Sequence, residues 1–225
     1  MTEERRSNLP CLALEVRNWS LPGAQRFLSV FNSASVLEEL AAFILETLFG
    51  ERATTPEVRS ITIIVTSHTY MPTFQCLAFH SVSDLDNTHH RIEVAESFLQ
   101  RIPEDRLRDE VTGVILHEMV HCFQSNFDKA PQGLIEGLAD WVRLRRGLDP
   151  PHWQDDRKVK PSQSWHTGYQ VTAYFLEYLE TNYGSGTVAQ INALVCSGGY
   201  SELRWSAILG NDVDSLWQQY CAQGL

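Results

Sequence analysis

Apolar residues are distributed along this chain in two regimes. Up to Ala95 they come in short runs. Ser60–Thr66 (SITIIVT) is β-branched almost throughout and is the strongest strand signal in the chain. Cys11–Val16, Cys76–Val82 and Arg91–Ala95 are shorter candidates of the same kind, with Asp84–Asn87 as a turn before the last. One helix interrupts them. Leu37, Leu40, Ala41, Ile44, Leu45 and Leu48 recur at helical spacing, Ser35 and Glu38 form a capping box, and Gly50 is the stop.

From about Leu107 onward the spacing is helical. Val111, Val114, Ile115, Met119, Val120 and Phe123 mark one buried helix, and Leu134, Ile135, Leu138, Ala139, Trp141 and Val142 a second. An aromatic stretch follows from Trp165 to Tyr178, most of it core by its spacing. Thr187–Val195 and Asp214–Ala222 read as closing helices, the latter anchored by Leu216, Trp217 and Tyr220. Strands first and helices afterwards predict an α+β fold, a small mixed N-terminal sheet packed on helices with a helical C-terminal half. The expectation is a single domain over residues 1–225. Its strand-rich part covers about 10–95, and its helical part, carrying the candidate site, about 105–225.

Composition narrows the partners. With 43% hydrophobic and 20% charged residues the chain belongs with soluble globular proteins. A net charge of −10 disfavours nucleic acid and anionic membrane as partners. No apolar stretch reaches the length of a membrane span. The five cysteines Cys11, Cys76, Cys122, Cys196 and Cys221 are odd in number and widely spaced, so mostly free, buried thiols are expected, with Cys122 as packing. Met1–Asn8 carries no apolar signal segment. An intracellular location is expected if Met1 is the native start, a secreted one if the N-terminus has been trimmed.

The chemistry is concentrated in His117-Glu118-Met-Val-His121. On an α-helix two histidines four positions apart are offset by about 40° and lie roughly 6 Å apart along one face. Their ring nitrogens can converge on one metal ion. Glu118 is then placed to activate a water on that ion as general base. Polar groups inside a buried helix must be satisfied, and a metal satisfies all three. The alternative is a pair of core histidines bonded to carbonyls. The next helix carries Glu136 and Asp140, also four apart. Stacked carboxylates repel unless a cation lies beside them. A metal bound by Glu136, with Asp140 bonded to a ligand histidine, removes the repulsion. The alternative there is a solvated acidic face paired with Arg143 or Arg145. Position 127, where a long zincin motif would carry a third histidine, is Phe127, and His152 lies in a Pro-Pro loop. Glu136 and Asp140 remain as candidates for the third ligand.

The segments His117–Gln124, Gly133–Leu144, Pro151–Trp153 and Gly168–Leu176 closely resemble the plant basic secretory protein family of peptidases, which also occurs in bacteria and fungi. Asn18–Ala24 and Val213–Tyr220 fit it too, so the resemblance spans nearly the whole chain in order. It implies a zincin-like metallopeptidase that binds Zn2+ through His117 and His121, with Glu118 as general base. Glu136-Gly-Leu-Ala-Asp140 is similar to the second metal helix of the glutamate-type zincins, where a glutamate binds zinc and an aspartate four residues on holds a ligand histidine. Plant members are typically secreted and often basic, whereas this chain is acidic, so neither location nor substrate carries over.

The leading expectation is zinc-assisted hydrolysis of a peptide bond. Tyr169 is the candidate oxyanion donor and His166 the weaker one. A peptide or protein substrate could add as a strand at a sheet edge near Ile92–Ala95. Two other readings stand beside this one. The same site could serve a small-molecule amide hydrolase, or an iron enzyme in biosynthesis, since imidazole and carboxylate also suit iron. The protein could also be a non-catalytic zinc or peptide-binding module. A structural zinc site, however, favours cysteine ligands and would leave Glu118 idle.

Overall fold

The structure is a computed structural model that describes residues 9–31, 33–50, 55–67, 77–83, 86–124, 127–160 and 162–223. Met1–Asn8, Cys76, Asp84–Leu85 and Ser125–Asn126, which carried sequence expectations, lie outside these residues. The chain divides into two compact units. One comprises Met1–Phe43 and Glu57–Phe123, the other Ile44–Pro56 and Gln124–Leu225.

The first unit holds β1 (Cys11–Val16), α1 (Pro22–Val30), most of α2 (Ala34–Phe49), β2 (Ser60–Thr66), β3 (Ala78–Val82), β4 (His89–Ala95), α3 (Glu96–Arg101) and α4 (Leu107–Cys122). Its four strands form one mixed sheet in the order β1-β2-β4-β3. β1, β2 and β4 run parallel, and β3 is antiparallel to β4. The central strands bury consecutive residues, Ile63 to Val65 on β2 and Ile92 to Ala95 on β4. A strand covered on both faces reads as a continuous apolar run, which is why SITIIVT is so distinct in the sequence. α2 begins at Ala34, so Ser35 lies in its first turn rather than at its cap, and its hydroxyl is 2.6 Å from that of Ser33. The predicted stop holds: Gly50 has φ +63° and its N–H donates to the Glu46 carbonyl at 3.2 Å.

The expectation of a free edge at Ile92–Ala95 is corrected. Ile92 lies between Ile63 of β2 and His80 of β3, and Val94 between Val65 and Ala78. The Ala95 N–H donates to the Leu77 carbonyl at 3.0 Å. No backbone group there is left for an added strand. Among the described residues the edges of this sheet are β1 and β3.

α4 packs against β3 and β4 and is buried nearly all round, through Leu107, Val111, Val114, Ile115, Leu116, Met119 and Val120. It therefore belongs with the sheet rather than with the helical half. Asp109 and Glu110 stand in its first turn, where carboxylates favour the positive end of the helix dipole. Arg106 pairs with them at 3.2 and 3.0 Å.

The second unit holds the end of α2 together with α5 (Gln132–Arg145), α6 (Tyr169–Tyr183), α7 (Thr187–Cys196), α8 (Trp205–Leu209) and α9 (Val213–Ala222). Phe175 of α6 is its hub, with ring centroids 6.4 Å from Trp205, 5.3 Å from Trp217 and 5.7 Å from Tyr220. The aromatic spacing read in the sequence is thus core. α5 and α6 approach closely because two glycines permit it. A Cβ at Gly133 would lie 1.9 Å from the His166 carbonyl oxygen, and one at Gly137 would lie 2.3 Å from Cγ2 of Thr172. Trp141 Nε1 and Arg145 Nη1 of α5 both donate to the Glu177 carboxylate of α6, at 2.9 and 3.1 Å. Among the described residues no single helix is long and apolar enough to cross a membrane.

Candidate metal centre

His117 and His121 fall on adjacent turns of α4, half-buried, with Glu118 half-buried between them. Their Nε2 atoms are 3.2 Å apart, and the rings meet edge to face at 83° with centroids 4.9 Å apart. Two nitrogens bound to one tetrahedral ion at about 2.0–2.1 Å stand about 3.3 Å from each other. The spacing of the pair is therefore the spacing of two ligands on a shared ion, and the residues fit zinc. Groups of His, Cys and Glu side chains that could hold a metal ion exist among the described residues.

Within the second unit Glu136 is half-buried on α5, and Gln132 Nε2 donates to its Oε1 at 2.9 Å. Asp140, one turn on, is only 3% exposed. Neither arginine on α5 is simply a solvated cation. Arg143 is buried, donates to the Leu148 carbonyl at 2.9 Å and lies over the Trp153 ring, whereas Arg145 pairs with Glu177. His152 is exposed.

Tyr169 opens α6 and is 54% exposed, so its ring is not core packing. Its φ of +49° is a left-handed backbone angle that bulky residues seldom adopt. Thr172 fixes this corner. Its hydroxyl donates to the Trp165 carbonyl at 2.9 Å and accepts from the Gly168 N–H at 2.9 Å. His166 is exposed, with Nδ1 3.1 Å from the Ser164 hydroxyl.

Three residues that the sequence did not single out as chemical gather in the first unit. His80 Nε2 is 2.7 Å from His90 Nδ1, the two rings are stacked, and the His80 ring lies 6.2 Å from that of His121. Burial first, then His90 and His121, lower the His80 pKa to about 3. Burial and then His89 lower that of His90, against an opposing pull from Asp86. Cys122 is buried as expected. Burial, and secondarily Glu118, hold its thiol well above the usual range.

The sequence pattern of BSP, the family described as peptidase of plants and bacteria, matches residues 9–220. The chain belongs to that family, the one its motifs resemble. No curated protein and no solved structure gives a significant match.

Proposed function

We propose that this chain, as a member of a peptidase family, is a zinc metallopeptidase of zincin-like type, with His117, His121 and Glu136 as ligands and Glu118 as general base. The observation that carries the reading is the 3.2 Å separation of the His117 and His121 ring nitrogens on one helical face. Glu136 is supported by the order of the motifs and by its half-buried place on α5, and Asp140 by its burial one turn away. In this reading Asp140 accepts from the other ring N–H of a ligand histidine, the one not on the metal side, and fixes its tautomer.

A zinc ion held there supplies Lewis acidity, which polarises a carbonyl and brings the pKa of a water toward about 7. Glu118 takes the proton from the attacking water and delivers it to the departing amine nitrogen. It is suited to that task because it follows His117 directly in the chain and is only half-buried, so solvent and substrate can reach it. Tyr169 is proposed to donate its phenolic hydrogen to the developing oxyanion. Tyr169→Phe should then lower turnover by roughly 10²- to 10³-fold with little change in thermal stability. An unchanged rate would remove Tyr169 from the mechanism.

An extended peptide can add as a further strand at a sheet edge. β3 is the sheet edge that packs against α4, and the proposed peptide or protein substrate lies along it. Degradation of casein by the purified chain tests the reaction class. Hydrolysis that a chelator stops and zinc restores is the expected result. Casein left intact by the zinc-loaded protein would return the site to a small-molecule substrate or to binding alone.

A further inference from the structure

We propose that His80, His90 and Cys122 form a second metal site, for a divalent cation of the zinc class, beside and separate from the His117–His121 pair. Each residue comes from a different element. In the β3–β4 register His80 faces Ile92 while His90 faces Val82. The two histidines are thus diagonal neighbours on one face of the sheet, within reach of each other. Cys122 is the last residue of α4, the helix packed on those two strands. One ligand atom of each, a ring nitrogen from both histidines and the cysteine sulfur, lies within 4.8 Å of the others. The two imidazoles turn nitrogens toward one another at 2.7 Å. They need to part by only about half an ångström to span an ion at about 2.0–2.1 Å.

The donor set selects the ion. Two imidazoles and a thiolate suit zinc and its cobalt analogue, whereas magnesium and calcium require oxygen ligands, of which this group has none. On binding, the Cys122 S–H bond breaks, a sulfur–metal bond forms and one proton passes to solvent. The imidazoles contribute lone pairs without losing protons. Three protein ligands leave a fourth position for water. The site ties β3 and β4 to the C-terminal end of α4, next in the chain to His121. Its metal therefore braces the helix that carries the histidine pair.

Cobalt(II) distinguishes the two sites, because only a cysteine-bearing site gives a sulfur-to-cobalt charge-transfer band in the near ultraviolet. The metal-free full-length chain is titrated with Co2+ and followed by absorbance and by bound metal. Two equivalents are expected, one of them accompanied by the band. Cys122→Ser should lose the band and one equivalent, and keep the other. The double variant His117→Ala/His121→Ala should keep the band and one equivalent. X-ray absorption of the cobalt-loaded wild-type protein, which needs no variant to fold, should show sulfur at about 2.3 Å. Absence of the band and of sulfur scattering in the wild type would overturn the site. So would a band that survives in Cys122→Ser, which would assign the sulfur to another cysteine. Loss of chelator-sensitive hydrolysis alone bears on the histidine pair and leaves this result standing.

Discussion

The two units differ in the polar contacts that their side chains make. In the helical unit several of these side chains hold backbone. Thr172 satisfies the corner before α6, Asn192 donates to the Leu48 carbonyl at 3.3 Å, and Gln124 donates to the Ile135 carbonyl at 3.1 Å. Its core is aromatic, gathered on Phe175. In the sheet unit the core is aliphatic, yet four histidines contact one another in pairs, His80 with His90 and His117 with His121. An imidazole bonded to an imidazole satisfies one nitrogen through its partner's proton, and a cation can replace that proton by taking both lone pairs. A buried amide on a carbonyl offers no such exchange. Buried polar groups of the helical unit thus hold backbone at several points, whereas the sheet unit brings imidazole nitrogens against one another.

The largest expected effect lies in the sheet unit. Glu118→Gln keeps the shape of the side chain and removes its basicity, so hydrolysis should fall by about 10²- to 10⁴-fold while bound metal is unchanged. Steady-state rates with elemental analysis check this. Activity above a trace would mean that Glu118 is not the base. In the helical unit Phe175→Ala removes the centre of the aromatic core and should cost about 3–5 kcal/mol in denaturant unfolding. Metal content per folded molecule should not change. A Phe175 variant that folds but loses metal would show that the aromatic core and the metal site are not independent. The smallest expected effect is that of Asp140→Ala, which should weaken zinc retention by roughly 10- to 100-fold, since it removes support for a ligand rather than a ligand. Competition with a chromophoric chelator measures it. Complete loss would promote Asp140 to a ligand, and no loss would reduce it to packing.

What was legible in the sequence was what helices encode locally. Spacing by four places His117 and His121 on one face wherever a helix forms, and the burial of α4 was written in Val111, Val114, Ile115, Met119 and Val120. The run SITIIVT announced a strand. Pairing is a different matter, because strand order depends on residues far apart in the chain. Ile92–Ala95 looks like any strand until Ile63 and His80 are known to flank Ile92, and so a central strand was read as an edge. The same non-local register hid His80 and His90. Each is a single histidine in a short strand, and only the antiparallel offset of β3 and β4 brings them together. Cys122 was visible but had no partner at helical spacing, since its neighbours come from the sheet. The short helices Pro22–Val30, Glu96–Arg101 and Trp205–Leu209 hold too few turns for a periodic signal and are fixed by what they pack against.

The central claim is that one zinc ion is shared by His117, His121 and Glu136. An anomalous-scattering map, collected at the zinc edge from crystals of the zinc-loaded protein, tests it most directly. The account predicts a peak within about 2.0–2.2 Å of Nε2 of His117, Nε2 of His121 and a carboxylate oxygen of Glu136, with Asp140 on a ligand histidine rather than on the metal. A peak held by His152 or Asp140 while Glu136 points away, or no peak at the histidine pair, would contradict it.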